Sequence, residues 1–413
     1  MKKVILSSFV LASLVFTSCS NDDDTTGGEV TTVTAPETYA FENESGESTV
    51  SFSGQTIRLR QGDEFVAALK DNTKTLAELE AMFAHSAGDA DFDEEALNTA
   101  SNQIRSKIGD SVDYFSSNAT EAVEIQEDFD AWIAAQVNEV FPSWSVDAEA
   151  GVAGAIAEFG GTTRYVNAKG YEYDQLINKG LIGALTLDQI INDYTSPNLL
   201  DKDTFTADNT AGTVVEGKTY TQMEHYWDEG YGYLFGDEVD PASPAFEGNV
   251  DSFLNKYLDR VDDDSDFDTF EEEVYEAFKL GRAAIVAADY DLRDEQIAII
   301  KDRLSQVIGV RAVYYLKAGQ AILESDGLVD YGSAFHDISE GLGFIYSLRF
   351  TQKADSVEPY FTKAEVDAYI DDLVGSGSTN GLWDADTATK LETIAEEIAA
   401  EFDFTVEEAQ TID

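Results

Sequence analysis

Residues 331–346 read YGSAFHDISEGLGFIY, and residues 220–235 read YTQMEHYWDEGYGYLF. Aligned without a gap, both segments have Tyr, four residues, His, three residues and Glu-Gly-x-Gly, and then an aromatic, an aliphatic and an aromatic residue. The chain has three histidines, and two of them fall in this pattern. The recurrence predicts a fold built from two similar half-bundles that carry one copy each.

The spacing places the histidine and the glutamate of each segment on one face of a helix. On a helix, positions i, i+4 and i+7 share a face, so His225 lies beside Glu229, and His336 lies beside Glu340. Gly232 and Gly343 follow on the same faces, and we expect them to let another helix approach closely. Two such helices packed face to face would gather two imidazoles and two carboxylates, a ligand set that suits zinc or iron. We therefore predict that the two copies pack together and that these four residues bind a metal. Purely structural His–Glu pairs remain the alternative.

The rest of the chain favours an all-α fold. Amphipathic patterns of helical period follow one another from Asp63 onward, and the chain has only six prolines. Residues 39–60 instead contain short alternating stretches, such as Val50–Phe52 and Ile57–Leu59, which indicate an extended N-terminal arm. We expect a single domain over 39–413, a multi-helix bundle with an internal pseudo-repeat.

The N-terminus has the pattern of an export signal. Residues 1–18 contain two lysines and then an apolar stretch too short to span a bilayer, as in a signal peptide. Thr17-Ser18-Cys19 resembles the lipobox of bacterial lipoproteins, which implies cleavage before Cys19 and its lipidation. Residues 19–38 are polar, and we predict a flexible acidic tether.

The large negative charge of the protein limits the kinds of molecule that can bind it. A formal net charge of −55 would repel nucleic acid and attract cations, so we expect no nucleic-acid partner. A weaker calcium signal lies at EF-hand spacing, although Phe267 occupies the position where the sharp turn needs glycine. Three aromatic residues in the two copies are further candidates for ligand contact. The calcium candidates are Asp262, Asp264, Asp266, Asp268 and Glu273, and the aromatic candidates are Tyr220, Tyr331 and Trp227.

The sequence resembles a Bacteroidetes surface lipoprotein family of unknown function and, more distantly, imelysin-like proteins. The resemblance rests on the lipobox followed by residues 20–24, SNDDD, on the helical pattern over most of 60–410, and on the His/Glu helices. It implies an outer-membrane lipoprotein facing the cell surface and, from the imelysin-like proteins, a double helical bundle tied to iron uptake. Their motif is Gly-x-His-x-x-Glu, whereas this chain has Gly332-x3-His336-x3-Glu340, so only the broad role is carried over.

These observations favour a binding protein over an enzyme. We expect a lipid-anchored component of nutrient uptake that takes iron, another metal ion or a metal chelate and has an outer-membrane transporter as partner. The main alternative is a glycan-binding lipoprotein that also pairs with such a transporter. A hydrolase is a third alternative, but the chain has no His-Glu-x-x-His motif to supply a zinc site and a general base.

Overall fold

Helices dominate residues 32–247 and 250–411, the part of the chain that the computed structural model describes. The prediction of an all-α fold is confirmed. One two-stranded antiparallel sheet accompanies the helices, with Gly154 opposite Val166. The strands are β1 Gly154–Ala157 and β2 Thr163–Val166, and the helices are α1 Ser53–Ala68, α2 Leu76–Phe83, α3 Glu95–Thr99, α4 Val112–Phe115, α5 Ala119–Ala135, α6 Tyr173–Leu181, α7 Pro197–Leu200, α8 Phe205–Thr210, α9 Gln222–Phe235, α10 Leu254–Asp262, α11 Phe270–Val286, α12 Tyr290–Leu323, α13 Tyr331–Ser347, α14 Lys363–Val374, α15 Thr387–Phe402 and α16 Val406–Ala409.

Local sequence explains where the two copies of the motif become helical. The side chain of Thr221 caps α9 by accepting from the backbone N–H of Glu224, and the carboxylate of Glu224 accepts from the backbone N–H of Thr221, which completes a capping box. Asp330 caps α13 by accepting from the backbone N–H of Ser333. Both segments are therefore helices, as their spacing predicted.

The regular α-helical hydrogen bonding of α6 ends at Leu181, but the chain stays helical beyond it. It continues through two π-helical stretches, Ile182–Leu187 and Ile190–Tyr194, whose residues are all buried. Gly183 lies in the first stretch, and a Cβ there would be only 2.5 Å from the side chain of Ser347 on α13. Glycine therefore permits the close approach of these two helices.

The longest helix, α12, organises the packing. It lies against α11, α13 and α15, and α13 in turn lies against α6. The helix α9 packs on α1, on α11 and on the stretch Ile190–Tyr194. The buried apolar side chains of these helices form one continuous core. Among the described residues, no helix combines the length and apolar character needed to cross a membrane.

The N-terminal arm, residues 39–52, turns back on itself through an antiparallel bridge between Glu42 and Ser48 and is fastened to α9 and α11 by buried polar contacts. Tyr39 donates its hydroxyl to Asp228 (2.7 Å), and the backbone N–H of Ser51 donates to the other oxygen of that carboxylate (3.1 Å). Arg282, which is fully buried, donates to Asp228 (3.0 Å) and to Thr49 (3.1 Å). The arm is therefore an integral part of the core.

The arm is shorter than the sequence pattern predicted. Residues 57–59 were expected to be extended, but α1 begins at Ser53 and includes them. The buried residues of α1 include Gln55, Arg58, Leu59 and Gly62, which follow a helical period. The expectation of extended structure there is wrong because two apolar residues in alternation are too few to distinguish a strand from one face of a helix.

Candidate functional site

The first copy of the motif is closed by the arm and by α1. The Nδ1 of His225 lies 3.1 Å from the carbonyl oxygen of Ser51, and because a carbonyl can only accept, Nδ1 carries the proton. The other ring nitrogen, Nε2, faces Glu229 at 3.9 Å. Gln55 donates to Glu229 (2.9 Å), and the ring of Tyr220 stacks on the imidazole at 4.6 Å. The partners from the rest of the fold are therefore neutral groups.

The second copy has charged partners. The Nδ1 of His336 lies 2.6 Å from a carboxylate oxygen of Glu172, the residue before α6. Glu340 pairs with Lys179 on α6 (2.8 Å). The side chain of His336 is 18% exposed, and that of Glu172 is 5% exposed. The same His–Glu pair is therefore used twice, but only in the second copy do the histidine and the glutamate themselves contact charged side chains from elsewhere in the fold.

Burial and these neighbours shift the acid–base equilibria of the second copy. Burial opposes ionisation of both Glu340 and His336, yet their partners outweigh it. Lys179 and then His336 lower the pKa of Glu340 to about 2. The hydrogen bond that His336 donates to Glu172 raises the pKa of His336 above its ordinary value. The imidazole is therefore easily protonated, while the neighbouring glutamate stays ionised.

Two further acids lie within electrostatic reach of this histidine. Burial, followed by the charge of Glu172, raises the pKa of Asp174 to about 7. Burial raises the pKa of Asp337 to about 6, and Glu340 adds to this effect. Shifted pKa values of this kind, grouped around a partly exposed histidine, mark a candidate functional site.

The two copies are placed apart in the packing. The main neighbours of α9 are α1, α11 and Ile190–Tyr194, whereas those of α13 are α6 and α12. The expected face-to-face packing of the two copies is therefore wrong. Within each copy the structure keeps the pair together: His225 lies near Glu229, and His336 lies within electrostatic range of Glu340. Among the described residues, however, no group of three or more His, Cys, Asp or Glu side chains is placed to hold a metal ion.

The glycines of the motif pack closely, as the sequence predicted. Neither glycine, however, packs against the other copy of the motif. A Cβ on Gly232 would lie 2.4 Å from Phe52, at the junction of the arm and α1. A Cβ on Gly343 would lie 2.4 Å from the side chain of Lys179 on α6. The helix α1 therefore has the same relation to the first copy as α6 has to the second.

The three aromatic candidates differ in access to solvent. Trp227 is fully buried and donates its indole N–H to the carbonyl of Phe278 (3.0 Å). Tyr220 is also buried, whereas Tyr331 is 43% exposed. Only Tyr331 of the three presents a ring that a ligand could reach in this structure.

In the acidic stretch between α10 and α11, three of the calcium candidates make contacts with other parts of the protein. Asp262 accepts from the backbone N–H of Glu271 (2.9 Å), and Asp264 accepts from that of Asp266 (3.0 Å). Glu273 pairs with Arg303 on α12. These contacts fasten the turn that leads into α11, and calcium binding there stays a prediction, as it does for Asp268.

Sequence reasoning missed the partners contributed by the entry into α6. Glu172, Asp174 and Lys179 complete the second copy, but they precede it by more than 150 residues in the chain. A local signal was present, since two acids directly precede and open a helix whose residues are all buried. Buried acids require partners, but the sequence does not say which segment provides them.

The fold and the site together define a helical protein with two His–Glu helices, one closed by neutral groups and the other by charged groups. Residues 36–405 match the family described as Domain of unknown function (DUF4856), and the chain belongs to this family. No curated protein matches the chain. No solved structure matches it either.

Proposed function

We propose that this protein is a binding component of nutrient uptake that takes iron, another metal ion or a metal chelate at the second copy of the motif. It is anchored to the outer membrane through lipid on Cys19 and works with an outer-membrane transporter. The lipobox and the resemblance to Bacteroidetes lipoproteins and imelysin-like proteins support the location and the role. Cys19 lies outside the described residues.

The orientation of His336 carries the proposal. Its Nδ1–H is held by the carboxylate of Glu172 at 2.6 Å, so in the neutral ring Nε2 bears the free lone pair. Histidines that bind metals almost always donate their other ring N–H to a carboxylate, a carbonyl or water, which fixes the tautomer and makes the ring more basic. The side chain of His336 is partly exposed, so a ligand that reaches Nε2 from solvent is part of the proposal.

The surrounding acids supply negative charge for a cation. Glu340, Asp337 and Asp174 all interact electrostatically with His336. Glu340 is held by Lys179, so a bare ion would need to displace that ammonium group to gain this ligand. A chelate that brings most of its own donor atoms needs only the imidazole. The geometry therefore favours a chelate over a bare ion.

The two copies provide a matched experiment. Calorimetric titrations with iron(III) citrate and with zinc would compare the wild type, His336→Ala and His225→Ala at physiological salt, where the acidic surface is screened. We expect His336→Ala to weaken binding at least about tenfold, the usual scale for losing a ligand or its support, and His225→Ala to leave binding unchanged. Equal losses in both variants, or no binding by the wild type, would contradict the proposal.

A glycan-binding function is the second candidate, because two exposed aromatic residues, Phe159 and Tyr331, lie near the start of α13. Phe159, in the turn between β1 and β2, is 69% exposed, and its backbone N–H donates to Asp330, the cap of α13 (2.9 Å). Tyr331 follows Asp330 and contacts the ring of Trp383 at 5.5 Å. Aromatic rings combine a large apolar face with a polar edge, which suits the stacking of a sugar ring.

Titration with oligosaccharides separates this candidate from metal binding. If glycans bind here, Tyr331→Ala should abolish the binding, and His336→Ala should not. An oligosaccharide that binds the wild type and Tyr331→Ala equally well would exclude this surface.

A further inference from the structure

A cavity of about 340 Å³ lies between α1 and the start of α10, outside both copies of the motif. Its polar walls include Lys70 from just beyond α1 and Lys256 from the first turn of α10. Within the part of the chain that the structure describes, neither ammonium group lies within salt-bridge distance of a carboxylate. Acidic residues outnumber basic ones 81 to 26 in this protein, so two such lysines in one cavity are unexpected.

Other charged groups act on Lys256. Burial and then the charges of Arg260, Lys179 and Lys70 lower the pKa of Lys256, and they outweigh the opposing charge of Glu340. Like charges are costly to hold together, and an anion bound between them would relieve the repulsion. The cavity has the volume of a site for a small molecule.

Two further features favour an anion. The cavity is lined by 250–252, which lead into α10, so the positive end of the dipole of that nine-residue helix lies at the cavity. Asp251 is buried, and its Oδ2 has no hydrogen-bond partner, while its Oδ1 accepts from the backbone N–H of Phe253 (2.8 Å). Burial raises the pKa of Asp251 well above its ordinary value. Burial therefore favours the neutral form of this carboxyl group, which can donate a hydrogen bond.

The remaining acid on the wall does not neutralise the cavity. Asp63 accepts from the backbone N–H of Ser252 (3.0 Å), and burial raises its pKa. With Asp251 in its neutral form, the lining holds two ammonium groups against the one carboxylate of Asp63. The lining is then positive, and the further carboxylates of Asp237 and Glu238 lie within electrostatic range of Asp251 but are not part of it.

We propose that this cavity binds a small soluble anion through its carboxylate or phosphate groups, held by Lys70 and Lys256. The inference does not depend on the metal proposal, because the two lysines that would hold the anion are not part of the proposed metal site and the test uses metal-free anions.

Calorimetric titrations with citrate and with inorganic phosphate, both free of metal, test this site. The proteins are the wild type, Lys256→Gln, Lys70→Gln and the control Lys202→Gln, which removes one exposed lysine far along the chain. We expect binding of one anion per chain, weakened about tenfold by Lys256→Gln because a charge-assisted hydrogen bond is lost. Lys70→Gln should also weaken it, and Lys202→Gln should not.

Three results would overturn the inference. The first is no binding of either anion by the wild type at millimolar concentration in low salt. The second is equal binding by the wild type and Lys70→Gln, a variant at an exposed position that does not threaten folding. The third is equal weakening by Lys202→Gln, which would show that only the overall charge matters. Preference for citrate or for phosphate in the wild type identifies which anionic group the cavity takes.

Discussion

Replacing Asp188 with asparagine should stabilise the protein, and increasingly so as the pH rises. Asp188 lies between the two π-helical stretches and is fully buried. Its Oδ1 accepts from Ser111 (2.7 Å) and from Asn192 (3.0 Å), and its Oδ2 has no partner. Asparagine keeps the shape and the accepting oxygen, so both hydrogen bonds can remain.

The expected magnitude follows from the pKa. Burial raises the pKa of Asp188 from 3.8 to about 8, so the folded protein keeps this carboxyl protonated at pH values where the unfolded chain has released the proton. Folding then binds a proton, and the contribution of Asp188 to stability declines as the pH rises from 3.8 to about 8. Compared with a neutral side chain, Asp188 lowers the free energy of unfolding by about 2 kcal/mol at pH 5 and by about 4 kcal/mol at pH 7.

Urea denaturation of both proteins at pH 5, 7 and 9 would measure this difference directly. The free energy of unfolding of Asp188→Asn should exceed that of the wild type by an amount that grows with pH and levels off above pH 8. The matched control is Asp89→Asn, at an exposed position, which should show no such trend. A difference between wild type and Asp188→Asn that is independent of pH would refute the reasoning.

Other variants test the core, the site and the anchor. Asp228→Ala should lower the free energy of unfolding by about 3 kcal/mol, because it removes one of the two carboxylates of a buried guanidinium group and the acceptor of two donors from the arm; a loss below about 1 kcal/mol in urea denaturation would contradict this. Gly281→Ala should cost about 1–3 kcal/mol in the same assay because its Cβ would meet a buried tryptophan ring, whereas Gly160→Ala, which points into open space, should be near neutral. Metal binding should weaken as the pH falls through the raised pKa of His336, since the proton competes for the ring; calorimetry in which affinity first drops well below pH 6.5 would argue against this ligand. Cys19→Ala should leave the protein soluble on fractionation, and a variant that still sediments with the outer membrane would exclude the lipid anchor.

Local signals in the sequence were sufficient to locate the two His–Glu helices. Caps are contributed by residues adjacent to the helix, such as Thr221 with Glu224, and the His-x3-Glu spacing fixes which side chains share a face. The glycines correctly indicated close packing. These features depend on residues within a few positions of one another, so the sequence displays them directly.

The partners of these helices could not be predicted in the same way. Gly232 meets the start of α1, and Gly343 meets α6, but a glycine face accepts any helix of suitable shape. The contact between His336 and Glu172 joins residues 164 positions apart. Such pairings depend on the whole topology, and this is why a shared four-residue site appeared plausible from the repeat alone.

The docking of the N-terminal arm affects the order in which the chain can fold. Tyr39 is 189 residues from Asp228, and Thr49 is 233 residues from Arg282. Contacts so distant in sequence close large loops and form slowly. During synthesis, residues 39–52 have no binding surface until both α9 and α11 have emerged. The stretch that is made early therefore docks late, and it stays undocked while most of the remaining chain is being made.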